Sequence, residues 1–378
     1  MKQIPPVDLT RQYQLIKAEA DSAVLDILSS GRYIGGEAIA NFEQEFASYT
    51  GVSECVSCNS GTDALFLALR ALNIGSGDEV ITTAFSFFAT AEVISRVGAK
   101  PVFIDLDSQT FNFDLAQIEQ AITPRTKAIM PVHLFGQPVD MTQLMAIAKK
   151  HQLYVIEDCA QATGAEWSGS KIGSFGDVGC FSFFPTKNLG ACGDGGAITT
   201  NNSALAKQMR ILKEHGSPSR YRHDFVGINS RIDAVQAVIL SVKLPYLDYW
   251  NQQRAKAAQY YQELLQHVAA IELPQTLAGG TSVWNQYTIC IKRQTSKKER
   301  IRELLQQKLR EQGVIAMIYY PIPLHLQPVY QDLGYQKGQL PKVEQAAQEV
   351  LSLPMFPGIS ESEQEQVVNN LKDCLLEI

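Results

Sequence analysis

Between about residues 50 and 200 the chain alternates short apolar runs with amphipathic stretches of helical length. Runs at 55–58, 79–82, 100–104, 128–132, 153–156, 179–183 and 196–199 read as strands. Residues 62–72, with Leu65, Leu69 and Leu72 at helical spacing, read as a helix, as do 89–97 and 141–150. Strands and helices in this order predict a mostly parallel sheet wrapped by helices, an α/β architecture. A long helix over 233–266, interrupted by Pro245, then leads away from the sheet. A strand at 286–291 and helices at 296–312 and 360–376 suggest a second, smaller α+β unit. The expected division is a large unit over 1–245 and a small unit over 246–378. The first forty residues are expected to pack on the small unit or on a partner subunit.

Composition narrows the classes. With 33 basic and 39 acidic residues the net charge is −6, which provides no basic surface for nucleic acid. No apolar run reaches the roughly 18 residues of a membrane span, and the opening residues lack a signal-peptide core, so a cytoplasmic enzyme is expected. Seven scattered cysteines suit free thiols. Cys55 and Cys58 lack the second pair or histidines that a zinc site needs, and they read as small buried side chains, so no metal is expected. The glycines of 164–171 are not followed by the Gly-Lys-Ser/Thr end of a phosphate loop.

In an open parallel sheet, ligands bind beyond the carboxyl ends of strands. Four such ends carry complementary chemistry. Asn59-Ser-Gly61-Thr62 opens a helix and can offer free amides to an anion, or act as an ordinary helix cap. Phe87 and Phe88 can present a flat aromatic face, or pack into the core. Glu157 and Asp158 place carboxylates at a strand end, where one of them could instead cap the next turn. Ser182 and Lys187 follow the next strand, just before the glycine cluster 193–196. An amine held among aromatic and small residues has a lowered pKa and can attack an aldehyde. Anion cradle, ring face, carboxylate and amine are together the needs of pyridoxal 5′-phosphate.

With these residues in place, the chain resembles the DegT/DnrJ/EryC1/StrS family of sugar aminotransferases over nearly its whole length. The resemblance rests on Ser30-Gly-Arg-Tyr-Ile-Gly-Gly36, Phe42-Glu-Gln-Glu-Phe-Ala47, Ser60-Gly-Thr-Asp-Ala64 and Val80-Ile-Thr-Thr-Ala-Phe-Ser-Phe87. It continues through Glu157-Asp-Cys-Ala-Gln161, Gly176-Asp-Val-Gly-Cys-Phe-Ser182, Lys187 with Gly193-Asp-Gly-Gly196, and Gly227-Ile-Asn-Ser-Arg-Ile-Asp233. It implies fold type I, the aspartate aminotransferase-like fold. It also implies that Lys187 binds the cofactor aldehyde and shuttles a proton, and that Asp158 pairs with the ring nitrogen. By the same resemblance, Phe87 stacks on the ring and Gln161 lies near its phenolic oxygen, while Gly61, Thr62 and Ser182 hold the phosphate. Asn229 would reach the phosphate from a neighbouring subunit, which makes the active unit a homodimer.

The implied reaction moves an amino group from L-glutamate to a nucleotide-linked keto sugar, with pyridoxamine 5′-phosphate as the alternate cofactor form. Arg231 is a candidate for a substrate anion, or for an ion pair with Asp233 or a neighbour. In the proline-set stretch after Tyr319, Tyr320 and His325 are candidates for the sugar, and His325 could equally be structural. The run from Arg220 to His223 borders the pocket or forms a solvated loop. Relatives with histidine in place of the lysine remove a hydroxyl, so Lys187 favours amino transfer. Two other classes stand beside this one: a cofactor-binding regulator without turnover, and an enzyme acting on amino acids.

Overall fold

The computed structural model describes residues 3–292 and 301–378. Its central sheet contains β1 (Glu54–Cys58), β2 (Glu79–Thr83), β3 (Lys100–Ile104), β4 (Thr126–Met130), β5 (Tyr154–Asp158), β6 (Val178–Ser182) and β7 (Gly196–Thr200). Their spatial order is β1-β7-β6-β5-β4-β2-β3. The pairs from β3 through β2, β4 and β5 to β6 are parallel. β7 runs antiparallel to both β6 and β1. No helix separates β6 from β7, so the chain turns back at the same end of the sheet, and a direct return of this kind can only be antiparallel.

Helices α1 (Leu9–Ser30), α2 (Glu37–Thr50), α3 (Gly61–Ala71), α4 (Ala89–Arg96), α5 (Met141–His151) and α6 (Ser203–Lys213) surround this sheet or precede it. The Ser60 hydroxyl caps α3 by accepting from the Asp63 N–H at 3.1 Å. Residues 64–69 of α3 are all buried, because the helix lies on β6 and β7 and is covered by α4 and α6. A helix apolar on every side is stable only in such a place. Pro245 divides the following helix as expected: α7 (Ala234–Lys243) leads into a 3₁₀ turn, Leu244–Tyr246, and then α8 (Leu247–Leu265).

A second, antiparallel sheet has the order β8 (Ile271–Glu272), β9 (Tyr287–Ile291) and β10 (Val350–Leu353). Together with α8, α9 (Ile301–Glu311) and α10 (Glu361–Leu376) it encloses its own core around Tyr261, Ile289, Leu305, Phe356 and Leu371. Of the helix expected at 296–312, residues 296–300 lie outside the described residues. Ser360 and Glu363 form a reciprocal capping box at the start of α10. Ile4 pairs with Val314 and Arg11 binds Glu363, so the start of the amino-terminal segment is fastened to the carboxyl-terminal unit, while α1 lies along α7.

The glycine-bearing stretch at 164–171 forms a small ribbon, Glu166–Trp167 with Ser170–Lys171, edged by Gly280–Thr281. Cys55 and Cys58 are buried free thiols. Among the described residues, no helix is long and apolar enough to cross a membrane.

Candidate active site

Sheet register brings the first group of residues together. Cys58 lies opposite Gly196, and Gly196 lies opposite Ser182, so the ends of β1, β7 and β6 meet in one row. The amino end of α3 then comes down directly on Ser182. A Cβ at Gly61 would stand 2.6 Å from Ser182 Cβ, and one at Gly196 would stand 2.4 Å from the Ser60 carbonyl. Only glycines permit this approach. The N–H groups of Gly61 and Thr62 have no partner within the helix, that of Asp63 being taken by Ser60, and with the Ser182 hydroxyl they offer donors suited to an anion. Thr62, partly exposed, lies in the same first turn.

β5 and the loop after β6 supply the carboxylate and the amine. Asp158 ends β5 and is buried. Its Oδ2 accepts from Thr90 Oγ1 at 2.9 Å and its Oδ1 from the Ala160 N–H at 3.2 Å. Thr90 Oγ1 is in turn 2.9 Å from Ser86 Oγ. Burial pushes the Asp158 carboxyl above its ordinary value, and the hydroxyl of Thr90 counters this. Lys187 sits in a turn closed by its own N–H on the Phe184 carbonyl at 2.8 Å. Enclosure of its amine brings the pKa down to about 8, against the opposing pull of the Asp158 charge.

The aromatic and amide positions resolve as well. Phe88 packs against Tyr330, with ring centroids 5.8 Å apart. Phe87 is 59% exposed and leaves its ring available, 6.4 Å from the ring of Tyr320. Gln161 Oε1 accepts from the Phe135 N–H at 2.6 Å, which turns its Nε2 to donate to Tyr320 Oη at 2.9 Å. Tyr320 therefore joins the large sheet through Gln161, and burial raises its phenol pKa.

Glu157 points to the opposite side of β5 from Asp158. It is fully buried and accepts from the N–H groups of Gly173, Phe175 and Gly176 at 2.9, 2.9 and 2.7 Å. His133 Nε2 lies 3.2 Å from it, while His133 Nδ1 accepts from the Val139 N–H at 3.1 Å. His133, Glu157 and Cys159 are close enough to suggest a metal site. The bonds just described already occupy the histidine and the carboxylate, and they fix the turn at 173–176. Glu157 is thus the member of the acidic pair that holds a turn.

Other expected positions lie apart. Asn229 is exposed, next to Ser230, whose hydroxyl donates to Asn59 Oδ1 at 3.0 Å. Arg231 forms an ion pair with Glu214 at 3.3 Å rather than with Asp233. Tyr221 is 85% exposed, and Arg222 pairs with Asp224 within the same loop. His325 is 1% exposed, with Nε2 3.3 Å from Glu344 Oε1, and burial lowers its pKa. Glu344 also receives the Gly338 N–H, so His325 belongs to a buried polar knot of the carboxyl-terminal unit.

A buried carboxylate and a depressed lysine at adjacent strand ends, beside an anion cradle, define an α/β enzyme of the aminotransferase type. The chain belongs to the DegT/DnrJ/EryC1/StrS aminotransferase family, whose sequence model matches residues 14–372. It is 48% identical over 372 residues to a pleiotropic regulatory protein of Geobacillus stearothermophilus, and the match covers 98% of each chain. It is 45% identical to a UDP-N-acetyl-3-dehydro-α-D-glucosamine 3-aminotransferase of Acidithiobacillus ferrooxidans, again over 98% of each. The crystal structure of S. venezuelae DesV superposes with a TM-score of 0.94 at 40% identity, covering 99% of this chain and 98% of DesV.

Proposed function

We propose that this enzyme transfers an amino group from L-glutamate to a nucleotide-linked keto sugar, using pyridoxal 5′-phosphate. The observation that carries the proposal is the pairing of a Lys187 amine near pKa 8 with buried Asp158 beside the Gly61–Ser182 cradle. The residues fit the cofactor. The cradle is a space that a Cβ at either glycine would fill, and Phe87 leaves a large ring uncovered at the next strand end. When bound, pyridoxal phosphate supplies an aldehyde that carries the amino group and a ring that accepts electron density.

The chain's own groups do the rest. Gly61, Thr62 and Ser182 would hold the phosphate, Phe87 would cover the ring, and Gln161 would stand at the phenolic oxygen. Asp158, whose ionised form Thr90 and the Ala160 N–H favour against the opposing effect of burial, would keep the ring nitrogen protonated. Lys187 has a neutral amine fraction at pH 7, so it can bind the aldehyde carbon and then move a proton at the substrate carbon. This pairing of groups supports catalysis over a binding-only role. Asn229 and Arg231, both partly or fully exposed, suit a site completed by a second subunit, with Arg231 released from Glu214 to meet a substrate anion. Tyr320 would face the sugar, and His325 would support the proline-set stretch through Glu344. The two units would divide at 245 and 246.

Purified protein should be yellow, lose its visible band on addition of L-glutamate, and regain it with a keto sugar. A panel of UDP- and dTDP-linked 3-keto and 4-keto hexoses, read by mass spectrometry, identifies the acceptor. Lys187→Ala cycling amino groups at the wild-type rate would overturn the role of Lys187. Mixed Lys187→Ala and Asn229→Ala subunits should regain activity. No recovery despite demonstrated subunit exchange counts against the shared site.

A further inference from the structure

Between Asn229 and Arg231, the two residues suited to a neighbouring subunit's site, lies a serine turned inward. Ser230 is fully buried, whereas Asn229 is exposed and Arg231 partly exposed. The backbone of this segment is laid along the end of α6. Ile228 donates to the Leu212 carbonyl at 2.9 Å, Ser230 donates to the Lys213 carbonyl at 3.0 Å, and Glu214 pairs with Asn229. Gly227 permits the approach, since a Cβ there would stand 2.3 Å from the Leu212 carbonyl oxygen.

The Ser230 side chain reaches the cofactor cradle of its own chain. Its hydroxyl donates to Asn59 Oδ1 at 3.0 Å and accepts from the Asn59 N–H at 3.4 Å. Asn59 Oδ1 also accepts from the Ser60 hydroxyl at 3.1 Å, and Ser60 Oγ accepts from the Asp63 N–H to cap α3. Asn59, Ser60 and Gly61 are consecutive, so this run of bonds ends at the glycine that packs on Ser182. A hydroxyl that both donates to and accepts from one residue fixes the distance and the orientation of the two loops it joins. One buried side chain thus ties the cradle to the segment that carries Asn229 and Arg231.

Resting on the shared site proposed above, we infer that Ser230 is a positioning residue that couples the two active sites of the dimer. Through Asn59 it sets the cradle of its own subunit. Through the backbone on either side it sets how Asn229 and Arg231 are held out to the partner's site. Order imposed on one cradle by a bound phosphate is passed to the segment serving the other site, and by linkage the effect is reciprocal.

Mixed holoenzyme dimers of differently tagged subunits test this. Lys187→Ala in one subunit confines the visible band to the other subunit's site, and loss of that band on dilution into a cofactor scavenger gives the release rate of pyridoxal 5′-phosphate. Adding Asn59→Ala to the Lys187→Ala subunit leaves the reporting cradle untouched and breaks the link only in the opposite chain. Release from the reporting site should still quicken about 3- to 10-fold, the worth of one hydrogen bond. Ser230→Ala in the same place should do the same, and the two together should add little. If one of these variants does not assemble, the other decides alone. In an Asn229→Ala background the acceleration should vanish, because nothing is then left to misplace; an acceleration that persists there marks general loosening of the dimer and overturns the inference. Release that quickens only when the substitution is in the reporting chain makes Ser230 a local strut and overturns it as well. Asn229→Ala alone in the opposite chain must speed release; if it does not, the shared site fails, and this inference with it.

Discussion

Gly61→Ala puts the cradle to a quantitative test. The added Cβ would lie 2.6 Å from Ser182 Cβ, 3.1 Å from Ser182 Cα and 3.2 Å from Ser182 Oγ. Ordinary apolar contact is about 4 Å, so the start of α3 and the end of β6 must part by about 1.4 Å. Turning the serine side chain away brings no relief, because its backbone Cα is also too close. Overpacking of this kind costs about 1–3 kcal/mol, while alanine in place of glycine in a helix returns up to about 1 kcal/mol. The clash prevails, and global stability falls modestly. Cofactor retention should suffer more. A shift of about 1 Å moves phosphate hydrogen bonds beyond useful length, and each such bond to a charged group is worth about 1.5–3 kcal/mol. Losing one weakens binding about 10- to 100-fold. Titration of apoenzyme with pyridoxal phosphate, followed by absorbance, measures this directly. An alanine variant that binds within twofold of wild type refutes the steric argument.

Three further outcomes follow from the same geometry. Cofactor capture by apoenzyme should rise with pH through a midpoint near 8, since the neutral amine of Lys187 is the reactive form; Asp158→Asn should move the midpoint lower, and a midpoint near 10.5 would refute the burial of the amine. Thr90→Val should raise the pH at which bound cofactor is lost on acidification, because Asp158 loses a donor to its ionised form, whereas Thr90→Ser should behave as wild type; identical acid release curves for all three would exclude a role for Thr90. Glu363 is held down to about 2, chiefly by Arg11, so its contribution of ~1 kcal/mol is complete above pH 4.5 and is lost as pH falls toward 2. Urea midpoints of wild type and Glu363→Gln should therefore differ at pH 7 and converge at low pH, and a constant difference would refute the linkage.

The sheet was legible because its strands are short apolar runs set between helical periods, and each of the seven was found within two residues at its ends. The direction of β7 was not, since alternation fixes which faces are buried and says nothing about how a connection returns. The two-residue strands at 166–171 and 280–281 are too short to leave a periodic trace. Lys187, Asp158, Gly61 and Ser182 could be picked out because a site at strand ends follows chain order. Thr90 was hidden inside a helix start 68 residues from its carboxylate. Gln161 with Tyr320, and Asn59 with Ser230, join segments whose separation along the chain carries no pattern at all. From the sequence His325 reads as a sugar contact or as a structural residue, and Glu344, its partner in the structure, comes from another element.

The return of β7 beside β6 also bears on the entropy of the lysine loop. Ser182 and Gly196 face each other across the two strands, and just beyond them Phe183 donates to the Gly195 carbonyl at 2.7 Å while Ala191 donates to the Phe183 carbonyl at 2.8 Å. Lys187 therefore rides on a loop whose two feet are pinned to the same edge, and the cost of closing that loop is met when the sheet forms. Little backbone freedom is left to be lost when the amine later reaches its target. Lengthening the loop by a few glycines would return that entropy and slow amine capture even with every side chain of the site in place.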